Sequence, residues 1–185
     1  MPPEPAASSP DRSSGGSAAL PWQSQARAKF VGRDAELQQL KSAFQATAGG
    51  QGALTLLVGE PGIGKTALCD ELCRSVVAAG GLPLVGHCYE EGSFRRPYQP
   101  FVEAFGKYVR ESDTDTLAAD LGSGASDLVR IVPEVKERLD VAPRPPGDAE
   151  DDRWRLMSAA MNLLRSAGAR QSLLLVLEED RKSVV

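Results

Sequence analysis

The chain has 185 residues, enough for one domain, and 42% of them are hydrophobic, enough for a packed core. Its formal net charge of −4 and its pI near 5.1 give no reason to expect direct binding to nucleic acid or to an anionic membrane. No apolar stretch approaches the roughly 20 residues needed to cross a bilayer, and the first residues lack the pattern of a signal peptide, so we expect a cytoplasmic protein.

The chain begins with a segment that is rich in Pro, Ser, Ala and Gly. Residues 1–28 cannot bury enough apolar surface to offset the entropy of ordering, so they are predicted to form a disordered tail or linker. A helix is predicted next, with Asp34 as its N-cap and with Leu37, Leu40 and Phe44 at helical spacing.

Two strands and a helix are predicted in the following part of the chain. The apolar run Ala53–Val58 lies between glycines and indicates a buried strand. A helix with an apolar stripe follows and ends at Gly80, and the run 82–88 (LPLVGHC) indicates a second strand.

The second half of the chain is predicted to be mainly helical before a last strand. A helix is expected near Pro100, with Phe101, Phe105 and Tyr108 on one face. A weaker helical stretch, a loop at 142–152, a helix at 152–168 and a buried strand at 172–177 complete the prediction. Strands that alternate with helices indicate an α/β fold with a parallel sheet.

The octapeptide GEPGIGKT carries the clearest chemical signal. It fits the pattern G-x-x-x-x-G-K-[ST] at Gly59, Gly64, Lys65 and Thr66, between a predicted strand and a predicted helix. Glycines allow the backbone N–H groups to converge on phosphate oxygens, and the helix N-terminus favours an anion. Lys65 is expected to reach the β- and γ-phosphates of a nucleotide, and the Thr66 hydroxyl is expected to bind Mg²⁺.

Two acidic residues follow the last predicted strand. A phosphate loop needs acids at the end of a nearby strand, one for the metal and one to polarise the attacking water. We expect Glu178 to hold magnesium and Glu179 to be the candidate base. The alternative is that both are ordinary solvated charges at a strand end.

These segments together resemble a known family. FVGRDAEL, GEPGIGKT, HCYEEGSFRRPYQPFVEAF and the final helix–strand pair are similar to the Orc1-like AAA-type P-loop ATPase module of signal-transduction ATPases with numerous domains. Such modules occur in large ATP-binding regulators of the LuxR family and in ATPase-coupled nucleotide cyclases. The resemblance covers the N-terminal part of the module and implies a P-loop parallel sheet with flanking helices, with ATP and Mg²⁺ as ligands. It departs at His87, where relatives often carry arginine.

The resemblance also implies a set of binding residues. Val31, Gly32 and Arg33 are expected near the adenine. The residues expected around the phosphates are Gly59, Glu60, Pro61, Gly62, Ile63, Gly64, Lys65, Thr66 and Ala67.

In the family the acidic strand is followed by further strands, a helical lid and regulatory domains. Residues 180–185 (DRKSVV) do not resemble that continuation. Read in one frame, the start of a widely used sequencing adapter encodes these six residues and then a stop. We therefore expect a partial ATPase domain at 29–179, truncated after the acidic strand, and a non-native tail at 180–185. The alternative is that residues 180–185 are a real divergent terminus or the result of a frameshift.

The function expected from these patterns is Mg-nucleotide binding by a fragment of a bacterial signalling or transcriptional regulator. Its parent would be a slow ATPase with output domains that this segment lacks, and the chain as written is not expected to hydrolyse ATP. One alternative is a small-molecule kinase that uses Arg95 and Arg96 to clamp the phosphoryl group. Another is an inert nucleotide-binding fragment. A metal site formed by the cysteines and His87 is conceivable, but small buried thiols are the simpler interpretation.

Overall fold

The computed structural model describes residues 32–89 and 97–180, in which helices surround a parallel sheet. The predicted tail at 1–28, Val31, the pair Arg95 and Arg96, and residues 181–185 lie outside the described residues. The elements, numbered along the chain, are α1 (Asp34–Ala46), α2 (Lys65–Ala78), β1 (Leu82–Tyr89), α3 (Gln99–Glu111), α4 (Thr114–Leu121), α5 (Ala125–Leu128), α6 (Glu134–Leu139), α7 (Ala149–Arg170) and β2 (Leu173–Asp180). Short 3₁₀ turns follow α1 and α4.

The sheet of the described part consists of β1 and β2, which run parallel. Leu84 lies opposite Leu175, and His87 lies opposite Glu178. Because side chains alternate between the faces of a strand, this register brings apolar residues together on one face and His87 and Glu178 together on the other. The predicted α/β class with parallel pairing is confirmed for these two strands.

One face of the sheet is covered by α1 and α2. Their predicted apolar stripes are buried against each other, and Leu174 of β2 packs on the same cluster. The buried members of the stripes are Leu37, Leu40, Leu68, Leu72 and Val76, and Phe44 is partly buried against them. This packing fixes the start of α2 beside the carboxyl end of the sheet.

The other face carries the larger core, formed by α3 to α7. Leu84 of β1 packs here with Phe105, and the core continues to Leu117, Leu128 and Leu163. The rings of Phe101 and Phe105 lie in contact with their centroids 5.8 Å apart and their planes tilted by 45°, in agreement with the predicted aromatic face of α3. Continuous burial of these side chains makes the α3–α7 layer the main source of hydrophobic stabilisation.

A charged network closes the far end of this layer. Arg170, the last residue of α7, donates hydrogen bonds to the buried carboxylate of Asp120 and, at 2.7 Å, to the hydroxyl of Tyr108. The Tyr108 hydroxyl donates in turn to Asp120. The network therefore ties α3, α4 and α7 together.

Helix α3 also covers the outer edge of β1. The N–H of Leu82 donates to Ser172 next to β2, so the main-chain groups of Pro83 and His87 point away from β2. Pro83 has no N–H to satisfy, its carbonyl accepts from Lys107 at 3.0 Å, and the N–H of His87 donates to Glu103 at 2.9 Å.

The predicted buried strand at Ala53–Val58 is wrong. This segment forms no strand and is exposed: Leu54 is 90% accessible and Val58 is 93% accessible. An apolar run of six residues fits either a strand or another buried segment, and it becomes a strand only where a neighbour supplies hydrogen-bond partners. Among the described residues no strand pairs with it.

Two predicted helix starts also need correction. Helix α1 begins at Asp34 itself, with Arg33 in the cap position and no side-chain cap. Helix α7 begins at Ala149, inside the segment predicted as a loop, because the Asp148 side chain accepts a hydrogen bond from the N–H of Glu150.

Candidate functional site

The segment from Gly59 to Gly64 forms an exposed loop that leads directly into α2. Gly62 and Gly64 have φ angles of 78° and 94°, a region that residues with a Cβ atom rarely adopt. This explains why glycine stands at these positions of the motif. The helix predicted after the loop is present, but the strand predicted before it is not.

The ammonium group of Lys65 turns back across the loop. It donates to the carbonyl of Gly59 at 2.8 Å and to the carbonyl of Glu60 at 3.0 Å. An ammonium group has three N–H donors, so these two bonds hold the cation at the loop and leave a donor for an anion.

The first turn of α2 adds positive character to the same place. Gly64 occupies the cap position and has no side chain that could satisfy the N–H groups of the turn. The N-terminus of a 14-residue helix carries a partial positive charge and favours anions such as phosphate. Thr66 and Ala67 are exposed in this turn, so the Thr66 hydroxyl is accessible.

The acidic strand approaches the same side of α2. Glu178 shares a face of β2 with Leu174, which packs on α2, and its side chain is 15% accessible. Glu178 also lies near the thiol of Cys69, and its charge adds to the effect of burial in raising the pKa of that thiol. Cys69 lies three residues after Thr66, and residues at this spacing are neighbours on a helix surface. Magnesium binding by Thr66 together with Glu178 stays a prediction.

Glu179 lies on the opposite face of β2. Successive residues of a strand point to opposite sides, and Glu179 is exposed. Both acids are part of β2 rather than following it, since the strand extends to Asp180. The assignment of Glu179 as the catalytic base stays a prediction.

His87 contacts Glu103, a residue that the sequence did not indicate as part of the site. Its Nδ1 lies 3.0 Å from Oε2 of Glu103 on α3, and its Nε2 lies 3.9 Å from Oε2 of Glu178. The contact between His87 and Glu103 spans 16 positions of the chain, so no local motif indicates it. The only sequence signal was that His87 replaces the arginine frequent in the family it resembles.

The thiols near the site are poorly reactive. Burial, the charge of Glu178 and a hydrogen bond with it raise the pKa of Cys69 to about 12. Burial, together with the charges of Asp70 and Glu178, raises the pKa of Cys73 to about 11. Both thiols are therefore protonated near neutral pH. Within residues 32–89 and 97–180 no cluster of three His, Cys, Asp or Glu residues is suited to a metal, so the cysteine–histidine site gains no support.

A magnesium ion held between protein and nucleotide does not need such a cluster. Mg²⁺ prefers oxygen ligands and is usually bound by one or two carboxylates together with phosphates and water. One carboxylate from Glu178 and one hydroxyl from Thr66 fit this set.

The residues expected near the adenine are placed only in part. Gly32 is exposed with a φ of 93°, and Arg33 precedes α1, whose apolar stripe packs on α2. Val31 lies outside the described residues. The proposed contact of this segment with a base stays a prediction.

The comparison with protein families decides the identity of this module. A family model described as AAA ATPase domain matches residues 29–179, most of the chain. The chain belongs to the AAA ATPase domain family. Membership supports ATP-binding through a P-loop, in agreement with the loop, the lysine and the acid described above. Neither the comparison with curated proteins nor the comparison with solved structures gives a match.

A membrane-spanning helix is not found in the described part of this AAA domain. The longest helix, α7, has 22 residues, but no helix combines the length and the hydropathy needed to cross a bilayer.

Proposed function

We propose that this AAA domain binds Mg-ATP with the Gly59–Thr66 loop and acts as a nucleotide-dependent switch. The observation that carries the proposal is the open loop itself, with two positive-φ glycines, a lysine ammonium held at its mouth and an uncapped helix N-terminus behind it. Each of these features favours a polyphosphate over a neutral ligand. Thr66 and Glu178 supply hard oxygen ligands for the accompanying magnesium.

The wider role rests on the resemblance to signal-transduction ATPases. In this role the chain is a cytoplasmic segment of a bacterial signalling or transcriptional regulator, such as a large ATP-binding LuxR-family protein. ATP and ADP states would differ in γ-phosphate and Mg²⁺ contacts, and these contacts would reposition lid and output domains in the parent. The segment itself makes no direct contact with nucleic acid or membrane. Glu179 is the proposed base for slow hydrolysis in that parent.

The test is nucleotide binding by purified protein, measured by calorimetry with ATP and Mg²⁺. Lys65→Ala should abolish binding because it removes the cation that faces the phosphates. Lys136→Ala, which removes an exposed lysine from α6, serves as the charge-matched control and should bind normally. Binding that survives in Lys65→Ala would overturn the assignment of the loop.

A small-molecule kinase would differ from an ATPase in transferring the phosphoryl group to an acceptor molecule. No observation within the described residues favours this second function, since Arg95 and Arg96 lie outside them. Transfer of phosphate to a small molecule rather than to water would nevertheless reveal it.

A further inference from the structure

Helix α7 carries a second apolar stripe besides the one that packs into the core. Trp154, Met157 and Met161 are 64%, 45% and 55% accessible, whereas Ala159 and Leu163 of the same helix are buried. Spacings of three and four residues place the three exposed side chains within about 60° of the helix surface. We call them the exposed α7 stripe. Contiguous exposed apolar side chains of this kind are typical of an interaction surface.

The spacing and the residue types of the exposed α7 stripe fit another helix as its partner. Trp154, Met157 and Met161 follow the a, d, a positions of a heptad, and Leu164, partly buried against the core, stands at the next d position. Tryptophan and methionine are enriched at protein interfaces, and the flexible thioether of methionine adapts to a facing side chain.

The charges beside the exposed α7 stripe favour a second copy of this chain over another helix. Asp151 and Arg165 lie along the same side of the stripe, two heptads apart, at equivalent e positions. If two copies of α7 pack antiparallel with Met157 opposite Met161, Asp151 of each copy lies beside Arg165 of the other. The helix is therefore complementary to itself in charge as well as in apolar spacing.

Both charged side chains are available for such a contact. Asp151 lies 3.5 Å from Arg155 in an exposed pair, and Arg165 donates to Asn162 at 3.4 Å. Exposed ion pairs contribute little free energy, so exchanging them for pairs between two copies costs little.

We propose that two copies of this chain associate through the exposed α7 stripe as an antiparallel pair of helices. A twofold axis between Met157 and Met161 makes the contact isologous, so the assembly closes at a dimer. The seam covers only about two heptads, which is short for a permanent interface, and the dimer is reversible. The dimer does not depend on bound nucleotide, and Lys65→Ala should form it as the wild type does.

The first test measures mass and contact surface together on the full chain. Sedimentation equilibrium from micromolar to millimolar concentration should show the mass rising from the 19.7 kDa of one chain toward that of a dimer. The chain has three methionines, two of them in the stripe, so methionine methyl NMR reports on the surface directly. The signals of Met157 and Met161 should shift with concentration, and Met1 is the internal reference.

The apolar part of the contact is tested by Met161→Lys. Lysine keeps the helix propensity of this exposed position but places a charge in the seam, so it should weaken dimerisation roughly tenfold or more. Lys136→Ala, on an exposed position of α6, is the control and should dimerise normally.

The charged part of the contact is tested by two reversals. Asp151→Arg places two arginines together in the dimer, and Arg165→Asp places two aspartates together, so each variant should associate with itself roughly tenfold more weakly. A mixture of the two variants restores both attractive pairs and should form a heterodimer. Glu137→Arg, an equal change of charge on α6, should associate with itself as the wild type does.

The outcomes decide between this dimer and other uses of the surface. A protein that stays monomeric at millimolar concentration overturns the inference, as does a dimer whose Met157 and Met161 signals do not move. The second result would place the contact elsewhere, or show that another segment of the chain covers the stripe. Failure of the two charge variants to associate with each other overturns the antiparallel arrangement. If either of these variants does not fold, Met161→Lys decides, and wild-type dimerisation of that variant overturns the inference.

Discussion

Gly86 marks the closest approach between the sheet and α3. A Cβ atom added at this position would lie 1.8 Å from the carbonyl oxygen of Pro100, a main-chain atom that cannot move without the helix. Glycine is therefore required here by space rather than by backbone conformation. Since α3 carries Glu103, the same contact also determines where that carboxylate lies.

We expect Gly86→Ala to displace α3 and to lower the free energy of unfolding by about 3 kcal/mol or more. Gly168→Ala is the control: this glycine lies in α7 with open space around it, and alanine there should stabilise by roughly 0.5–1 kcal/mol. Urea denaturation of both variants measures the difference. Equal stabilities for Gly86→Ala and the wild type would contradict the contact.

Asp120 provides a second prediction at this scale, through pH. Burial raises the pKa of its carboxyl, but hydrogen bonds from Arg170 and Tyr108 outweigh burial, so the pKa lies below its usual value of 3.8. The charged form therefore contributes stability that is complete above pH 3.8 and is lost as the pH falls through the lowered pKa.

We expect Asp120→Asn to lower the free energy of unfolding at pH 7 by roughly 1.5–3 kcal/mol, the usual contribution of hydrogen bonds to a charged group. The difference from wild type should shrink below pH 3.8. Denaturant titrations at pH 7 and at a series of lower pH values test this. Asp115→Asn, at an exposed position of α4, should show a smaller effect. A difference that stays constant with pH would show that the charge of Asp120 is not what stabilises the fold.

The residues of the site differ in how far the sequence could predict them. Gly62, Gly64, Lys65 and Thr66 follow from a local pattern, because the loop makes its own geometry. Glu103 could not be found in this way. Its role arises when α3 packs on the edge of β1, and that packing depends on contacts distant in the chain.

At the scale of elements, prediction succeeded where a segment carries its own periodicity. The predicted stripes of α1, α2 and α3 pack into the two core clusters as expected, because a helix makes its backbone hydrogen bonds internally and only its face must find a partner. A strand depends on its neighbours for those bonds. Ala53–Val58 shows this limit, since its composition favours a strand but no strand of the described residues pairs with it.

The exposed state of Ala53–Val58 leads to a direct test. Leu54→Ser and Leu56→Ser should each change the free energy of unfolding by less than about 0.5 kcal/mol, since these side chains are 90% and 80% accessible. Leu84→Ala, at a position 1% accessible, should cost about 2–5 kcal/mol. Thermal unfolding of the three variants compares them. Should Leu54→Ser be as damaging as Leu84→Ala, the segment is buried in solution.

At the scale of the whole molecule, the two helical layers lie on opposite faces of the sheet. One layer carries the loop and α2, and the other carries α3 with Glu103. A ligand that contacts the loop and Glu178 therefore binds the native arrangement and not the unfolded chain. Such binding must stabilise the fold.

We expect ATP with Mg²⁺ at about 100 times its Kd to raise the free energy of unfolding by about 2.7 kcal/mol. Each kcal/mol should raise Tm by roughly 2–4 °C. Calorimetric scans with and without nucleotide measure the shift. Lys65→Ala should unfold at the same temperature in both scans. An equal rise in Tm for that variant would place the ligand elsewhere.

The arrangement at Pro83 restricts how this sheet can be enlarged. An incoming strand needs a row of available N–H and C=O groups, and on the outer side of β1 the imino acid offers no hydrogen while Lys107 and Glu103 already occupy the neighbouring groups. A strand could pair with this edge only if α3 were displaced from it. Any extension of the sheet, by the same polypeptide or by another, is thus directed to the flank of β2, which gives the growing sheet a fixed direction.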